Sequence, residues 1–208
     1  MYIAIEGIKG SGKSTLISST LLNVSEEIRG LEIFPITAPM TPSHKLEILG
    51  NKIQTKTADD TYVENLFIER AHWHQSRLND KKGFILGDRS IATACVTRWD
   101  NWDDPYLTIK RIKKQYQNII GLDVVIWFKT NIKTAEQRIT QREKKSIRCC
   151  DETITNLSKA AEIFDELFTG RLYHKKICNI QVVELNNLFD KEAVQNEFKS
   201  ILKFYSKS

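Results

Sequence analysis

The chain has 208 residues, and its 31 Lys and Arg against 26 Asp and Glu leave a net charge of +5. That length suits one domain with a real core, and the 41% hydrophobic share excludes a disordered chain. No apolar run reaches the length of a membrane span, and the modest positive charge fits small anionic ligands without indicating nucleic-acid binding.

The first five core positions, Tyr2–Glu6, read as a short buried strand, so the N-terminus is expected to be core rather than a signal peptide. Next comes Gly7-Ile8-Lys9-Gly10-Ser11-Gly12-Lys13-Ser14, a full match to G-x-x-x-x-G-K-[ST]. Glycines let successive backbone N–H groups turn inward around a polyphosphate. Lys13 adds a point charge on the outer phosphates, and the Ser14 hydroxyl can hold Mg²⁺. Leu16, Ile17, Thr20 and Leu21 then recur at helical spacing, predicting a helix over Ser14–Ile28 whose free N-terminal N–H groups face the phosphates.

Leu31–Ile36 is the second expected strand, and Met40–Thr57 reads as an irregular loop. A helix follows over Asp60–Asn79. Its apolar positions Val63, Leu66, Phe67, Ala71 and Leu78 place Arg70 and His74 on or beside one face, where the cation needs a partner. That partner is either a substrate base or an acid such as Glu69 or Asp88.

Gly83–Leu86 is the third expected strand, ending just before Asp88-Arg89. A carboxylate there can hold Mg²⁺ beside the loop and the guanidinium can grip a phosphate, or the two simply form a surface ion pair. The stretch Arg98-Trp99-Asp100-Asn101-Trp102 could stack bases, but Asp100, Asp103 and Asp104 would repel a nucleic-acid backbone. Tyr106–Ile120 reads as a helix whose basic stretch is a solvated face.

The last third gives a strand at Asp123–Phe128, helices at Thr134–Lys145 and Glu152–Phe168, a strand at Gln181–Leu185 and a helix at Lys191–Tyr205. Arg138 and Arg142 are expected one helical turn apart on a shared face. Arg142, Lys144, Lys145 and Arg148 form a basic segment that is either a lid or a solvated helix end. Cys95, Cys149, Cys150 and Cys178 lack metal-ligand spacing and read as reduced thiols. Alternating strands and helices predict an α/β fold with a parallel sheet covered on both faces and ligands at the carboxyl ends of its strands.

Taken in order, IAIEGIKGSGKST, ENLFIERAHWH, KKGFILGDRS and GLDVVIWFKTNIKTAEQRITQRE resemble the thymidylate kinase family over nearly the whole chain. The resemblance implies a three-layer P-loop NTPase fold with a five-stranded parallel sheet, as a single domain over 1–208 with a short basic lid at about 142–151. It implies transfer of the γ-phosphoryl group of ATP to dTMP. ATP is expected on Gly7, Ile8, Lys9, Gly10, Ser11, Gly12, Lys13, Ser14 and Thr15, and Mg²⁺ on Ser14 and Asp88. Arg89 would hold the acceptor phosphate, Arg70 a carbonyl of the base, and Thr93 would lie near that base. Arg142 would pack on adenine, with Arg148 as a second lid cation. Gly10 together with a basic lid resembles the subtype whose catalytic Arg comes from the lid. Family members commonly form homodimers through helices, which Trp73 would serve, and work in the cytoplasm without membrane or nucleic-acid partners.

The donor side keeps the family pattern and the acceptor side departs from it. Lys9 stands where the family has a carboxylate, and Thr37-Ala38-Pro39 replaces Arg-Glu-Pro. Leu66 stands where a stacking Phe is expected, with Phe67 beside it, and Val96-Thr97-Arg98 replaces Ala-Tyr-Gln, which puts Arg98 on the acceptor side. Two rivals follow. A deoxynucleoside kinase needs a general base near Ala38, where none stands. A nucleotide-binding regulator that has lost kinase activity would bind ATP without transfer.

Overall fold

The computed structural model describes residues 1–24, 28, 31–35, 84–90, 93, 96, 123–142, 153–169, 181–187 and 190–207, with backbone alone at 21–24 and 31–35. The expected helices at 60–79 and 106–120, the loop at 40–57, the residues of the expected lid after Arg142, and all four cysteines lie outside the described residues.

The described elements are β1 (Tyr2–Glu6), α1 (Lys13–Val24), β2 (Leu31–Pro35), β3 (Phe84–Asp88), β4 (Val124–Lys129), α2 (Ile132–Thr140), α3 (Ile154–Phe168), β5 (Gln181–Asn186) and α4 (Lys191–Ser206). All strand pairings are parallel, in the order β2-β3-β1-β4-β5. β1 therefore sits at the centre, its Ile5 beside Asp88 of β3 and its Glu6 beside Trp127 of β4. The chain leaves β1 toward β2 on one side and leaves β3 toward β4 on the other. The crevice between those diverging exits is where such sheets take ligands.

The three central strands β3, β1 and β4 are near-continuously apolar and buried on both faces, as parallel sheets require. One face carries Ile3, Ile5, Leu86, Val124, Ile126, Phe128 and Leu185 against α1 and the Val194, Phe198 and Leu202 side of α4. On the other face Trp127 meets Phe168 of α3 at 5.8 Å between ring centroids.

Caps set three helix starts. Asn131 accepts from Lys133 N–H at 2.9 Å, Thr153 from Asn156 N–H at 3.2 Å, and Asp190 from Glu192 N–H at 2.9 Å, each worth about 1 kcal/mol. They move α2 two residues earlier and α3 two residues later than the periodicity suggests. α2 also ends at Thr140, where Arg142 N–H turns back to Ile139 O at 3.3 Å. Arg142 thus lies beyond the helix, and the expected shared face with Arg138 is not formed. β3 runs through Asp88, two residues further than expected, because Gly87 continues the strand. A Cβ at Gly87 would lie 2.9 Å from the Tyr2 ring, so this glycine marks a close approach and not a strand end.

Candidate active site

The loop from Gly7 to Ser14 joins β1 to α1 at the carboxyl edge of the sheet. Gly10 adopts φ 75°, and a Cβ there would collide with the Ala135 carbonyl oxygen. Only glycine lets the loop sit this close to α2. α1 begins at Lys13, with Leu16 N–H donating to Gly12 O at 2.9 Å. The N–H groups of that first turn lack intrahelical partners and are available to an anion.

Lys13 is buried. Its ammonium donates to Gly7 O at 2.7 Å, Ile8 O at 2.9 Å and Ser11 Oγ at 3.0 Å, so it rests on the loop that it is expected to serve. Burial, with Arg89 next and Arg142 adding to it, holds its pKa well below the usual lysine range against the pull of Glu6 and Asp88. A phosphate entering the loop would supply the missing anionic partner.

Ser14 Oγ donates to Asp88 Oδ2 at 2.9 Å, joining α1 to the end of β3. Asp88 Oδ1 is buried with no hydrogen-bond partner among the described residues. An orphaned carboxylate oxygen beside a hydroxyl at the loop fits Mg²⁺, which takes one or two carboxylates and completes its shell with phosphates and water. Among the described residues no three His, Cys, Asp or Glu side chains gather as a metal site. A cation here would therefore depend on the nucleotide.

Arg89 follows with φ 82°, a left-handed conformation that costs a non-glycine residue roughly 1–2 kcal/mol. Its N–H donates to Ile5 O at 3.1 Å. Thr93, expected near a base, is buried and commits its hydroxyl proton to Glu6 Oε2 at 2.8 Å. Only its lone pairs remain for a ligand. Lys9 is half-buried, and Thr15 is exposed. Arg142 is exposed, and its charge adds to the lowering of the Lys13 pKa. Leu66, Phe67, Arg70, Arg98 and Arg148 lie outside the described residues.

Two features escape the sequence reading. Glu6 is fully buried under the β3 exit, although a charged residue ending the apolar run Tyr2–Ile5 was a visible signal. On the opposite flank the Ser11 carbonyl accepts from Arg138 Nη1 at 2.8 Å and Asn187 Nδ2 at 2.8 Å. Thr130 Oγ1 approaches it at 3.4 Å. A cavity of about 480 Å³ opens beside this clamp, walled by Ile8, Lys129, Thr130, Asn131 and Asn187.

No family model matches the chain. It is 26% identical over 148 residues to the probable thymidylate kinase of Methanobrevibacter smithii, covering 69% of this chain and 71% of that protein. It is 25% identical over 209 residues to the probable thymidylate kinase of Picrophilus torridus, covering 95% and 93%. By sequence, the chain is similar to thymidylate kinases. The fold agrees. The thymidylate kinase of Candida albicans superposes with a TM-score of 0.67 at 16% identity, over 98% of this chain and 91% of that one. The deoxyadenosine kinase of M. mycoides, solved with bound dATP, gives 0.64 at 18% identity, over 98% and 100%. At these identities the structural likenesses speak to the fold alone. It is the P-loop α/β arrangement that the resemblance to thymidylate kinases implied.

Proposed function

We propose that the protein is a phosphotransferase that moves the γ-phosphoryl group of ATP to a nucleoside monophosphate, with dTMP as the acceptor. The observation that carries this reading is the junction at the carboxyl ends of β1 and β3. There the Ser14 hydroxyl meets the Asp88 carboxylate, with Lys13 and Arg89 adjoining. The similarity to two probable thymidylate kinases supports the acceptor.

ATP would lie along Gly7–Thr15, with Lys13 exchanging its loop carbonyls for phosphate oxygens. Ser14 and Asp88 would hold Mg²⁺, which supplies charge neutralisation at the outer phosphates. Arg89 would hold the acceptor phosphate, and Arg70, Thr93, Leu66, Phe67 and Arg98 the nucleoside. Arg142 and Arg148 would close over the donor and exclude water. An acceptor-phosphate oxygen then forms a bond to the γ-phosphorus while the bond to the β-bridging oxygen breaks, releasing ADP and dTDP. The nucleophile is already an anion, so positioning and charge neutralisation replace a general base. Among the described residues no helix is long and apolar enough to cross a membrane. We take the working form to be one cytoplasmic domain with its lid at about 142–151, paired as a homodimer.

A deoxynucleoside kinase is the second reading, since the M. mycoides deoxyadenosine kinase shares this fold over its full length. It needs a base for a sugar hydroxyl, which Ala38 does not supply. Purified protein with Mg-ATP, offered dTMP, thymidine and deoxyadenosine in parallel, separates the two. Rapid ADP release with dTMP alone supports the first reading. Turnover with a nucleoside alone overturns it, and ATP binding without any transfer leaves a nucleotide-binding regulator.

A further inference from the structure

Glu6 ends β1 with no exposed surface. Burial pushes its pKa up, while Ser90, Arg89, Thr93 and Lys13 pull it back toward the charged form. Among the described residues the carboxylate takes its hydrogen bonds from Ser90 and Thr93. Ser90 donates to Oε1 through both its N–H and its Oγ, each at 2.6 Å, and Thr93 N–H adds a donor at 3.3 Å. Thr93 Oγ1 donates to Oε2 at 2.8 Å. These donors all belong to two residues that follow β3 in sequence, Ser90 and Thr93.

Arg89 sits between β3 and Ser90, and among the described residues it is the one non-glycine with a left-handed backbone. Such a conformation persists only where the surroundings over-determine it. Two consecutive residues of β1 do so. Ile5 O takes the Arg89 N–H at 3.1 Å, and Glu6 takes the next N–H, that of Ser90, at 2.6 Å. All four hydrogen bonds from Ser90 and Thr93 donate to Glu6, the pattern a carboxylate accepts, and the cations Arg89 and Lys13 favour its charged form.

We propose that Glu6 is a positioning residue for the acceptor: by gripping Ser90 and Thr93 it fixes the left-handed Arg89 and presents its guanidinium to the acceptor phosphate. This rests on the assignment of Arg89 to that phosphate. Glu6 itself touches no substrate. Its effect should therefore fall on one substrate and spare the other, which a merely structural residue would not do.

Glu6→Gln tests it, because the amide keeps an oxygen for Ser90 while removing the charge. Steady-state constants are measured for the full chain with Mg-ATP and dTMP, or whichever nucleoside monophosphate the wild type uses. The expected result is a KM for the monophosphate raised about tenfold with the KM for ATP within about twofold. Ser90→Ala, which removes one donor, should raise the same KM by about threefold, and decides alone if Glu6→Gln does not fold. An unchanged monophosphate KM, or equal rises in both constants, overturns the proposal while leaving the proposed function standing. A wild type that transfers to no nucleoside monophosphate overturns the function, and the role of Glu6 with it.

Discussion

On the β3 flank of the phosphate loop a buried side-chain carboxylate gathers main-chain and hydroxyl donors, whereas on the β4–β5 flank a main-chain carbonyl gathers side-chain donors. The first arrangement sets an acidic side chain beside Lys13 and Arg89, so it affects how cations meet substrate. The second is centred on a neutral oxygen and fixes where the loop lies. The difference predicts that the two flanks fail differently. Damage near β3 should change acceptor use, and damage near α2 and β5 should change loop stability and ATP use.

Lys13 stands between the flanks and should give the largest effect. Lys13→Ala is expected to lower kcat about a thousandfold, measured as ADP release, while circular dichroism keeps its folded signal. Retained turnover would break the comparison at its centre. Gly10→Ala tests the seat against α2. Its Cβ collides with the Ala135 carbonyl in a left-handed backbone, so chemical denaturation should show a loss of about 3 kcal/mol.

Asn187→Ala removes one donor from Ser11 O, and Arg138→Ala the other. Each should cost about 1 kcal/mol and raise the KM for ATP more than that for the acceptor. The double variant should cost more than the sum, since it leaves the carbonyl to Thr130 at 3.4 Å. A purely additive result would show that the two donors are energetically independent although they share Ser11 O. The smallest effect is expected at Tyr2, whose ring packs against Gly87 of β3 without a hydrogen bond to the site. The Tyr2 hydroxyl is buried with no partner among the described residues, and that burial drives its pKa far upward. Tyr2→Phe should leave activity unchanged and gain about 0.5 kcal/mol by removing a desolvated group.

What could be read from the sequence followed from how local each feature is. The loop motif, the strand before it and Asp88-Arg89 are contiguous signals, and they meet in the structure at Ser14 and Asp88. Helix ends were less legible because periodicity does not report caps. Asn131 and Thr153 override it, and Arg142 falls off a helix that was expected to carry it. The Glu6 site asks for more, since a lone carboxylate in an apolar strand announces burial without naming Ser90 and Thr93. The Ser11 clamp left no local trace. Asn187 is an ordinary polar residue after a strand, and its partner lies 176 positions away. Thr93 shows the converse case, in which an expected ligand contact is largely taken up by an internal partner.

That separation has a consequence for biosynthesis. The ribosome delivers the nucleotide loop 176 residues before Asn187, which reaches it only after β5 has been made and docked beside β4. Gln195 of α4 likewise bonds Ser19 of α1 at 2.8 Å. A nascent chain therefore makes its loop first and secures it last, so a release product stopped before β5 would carry the motif without the fastening that holds it.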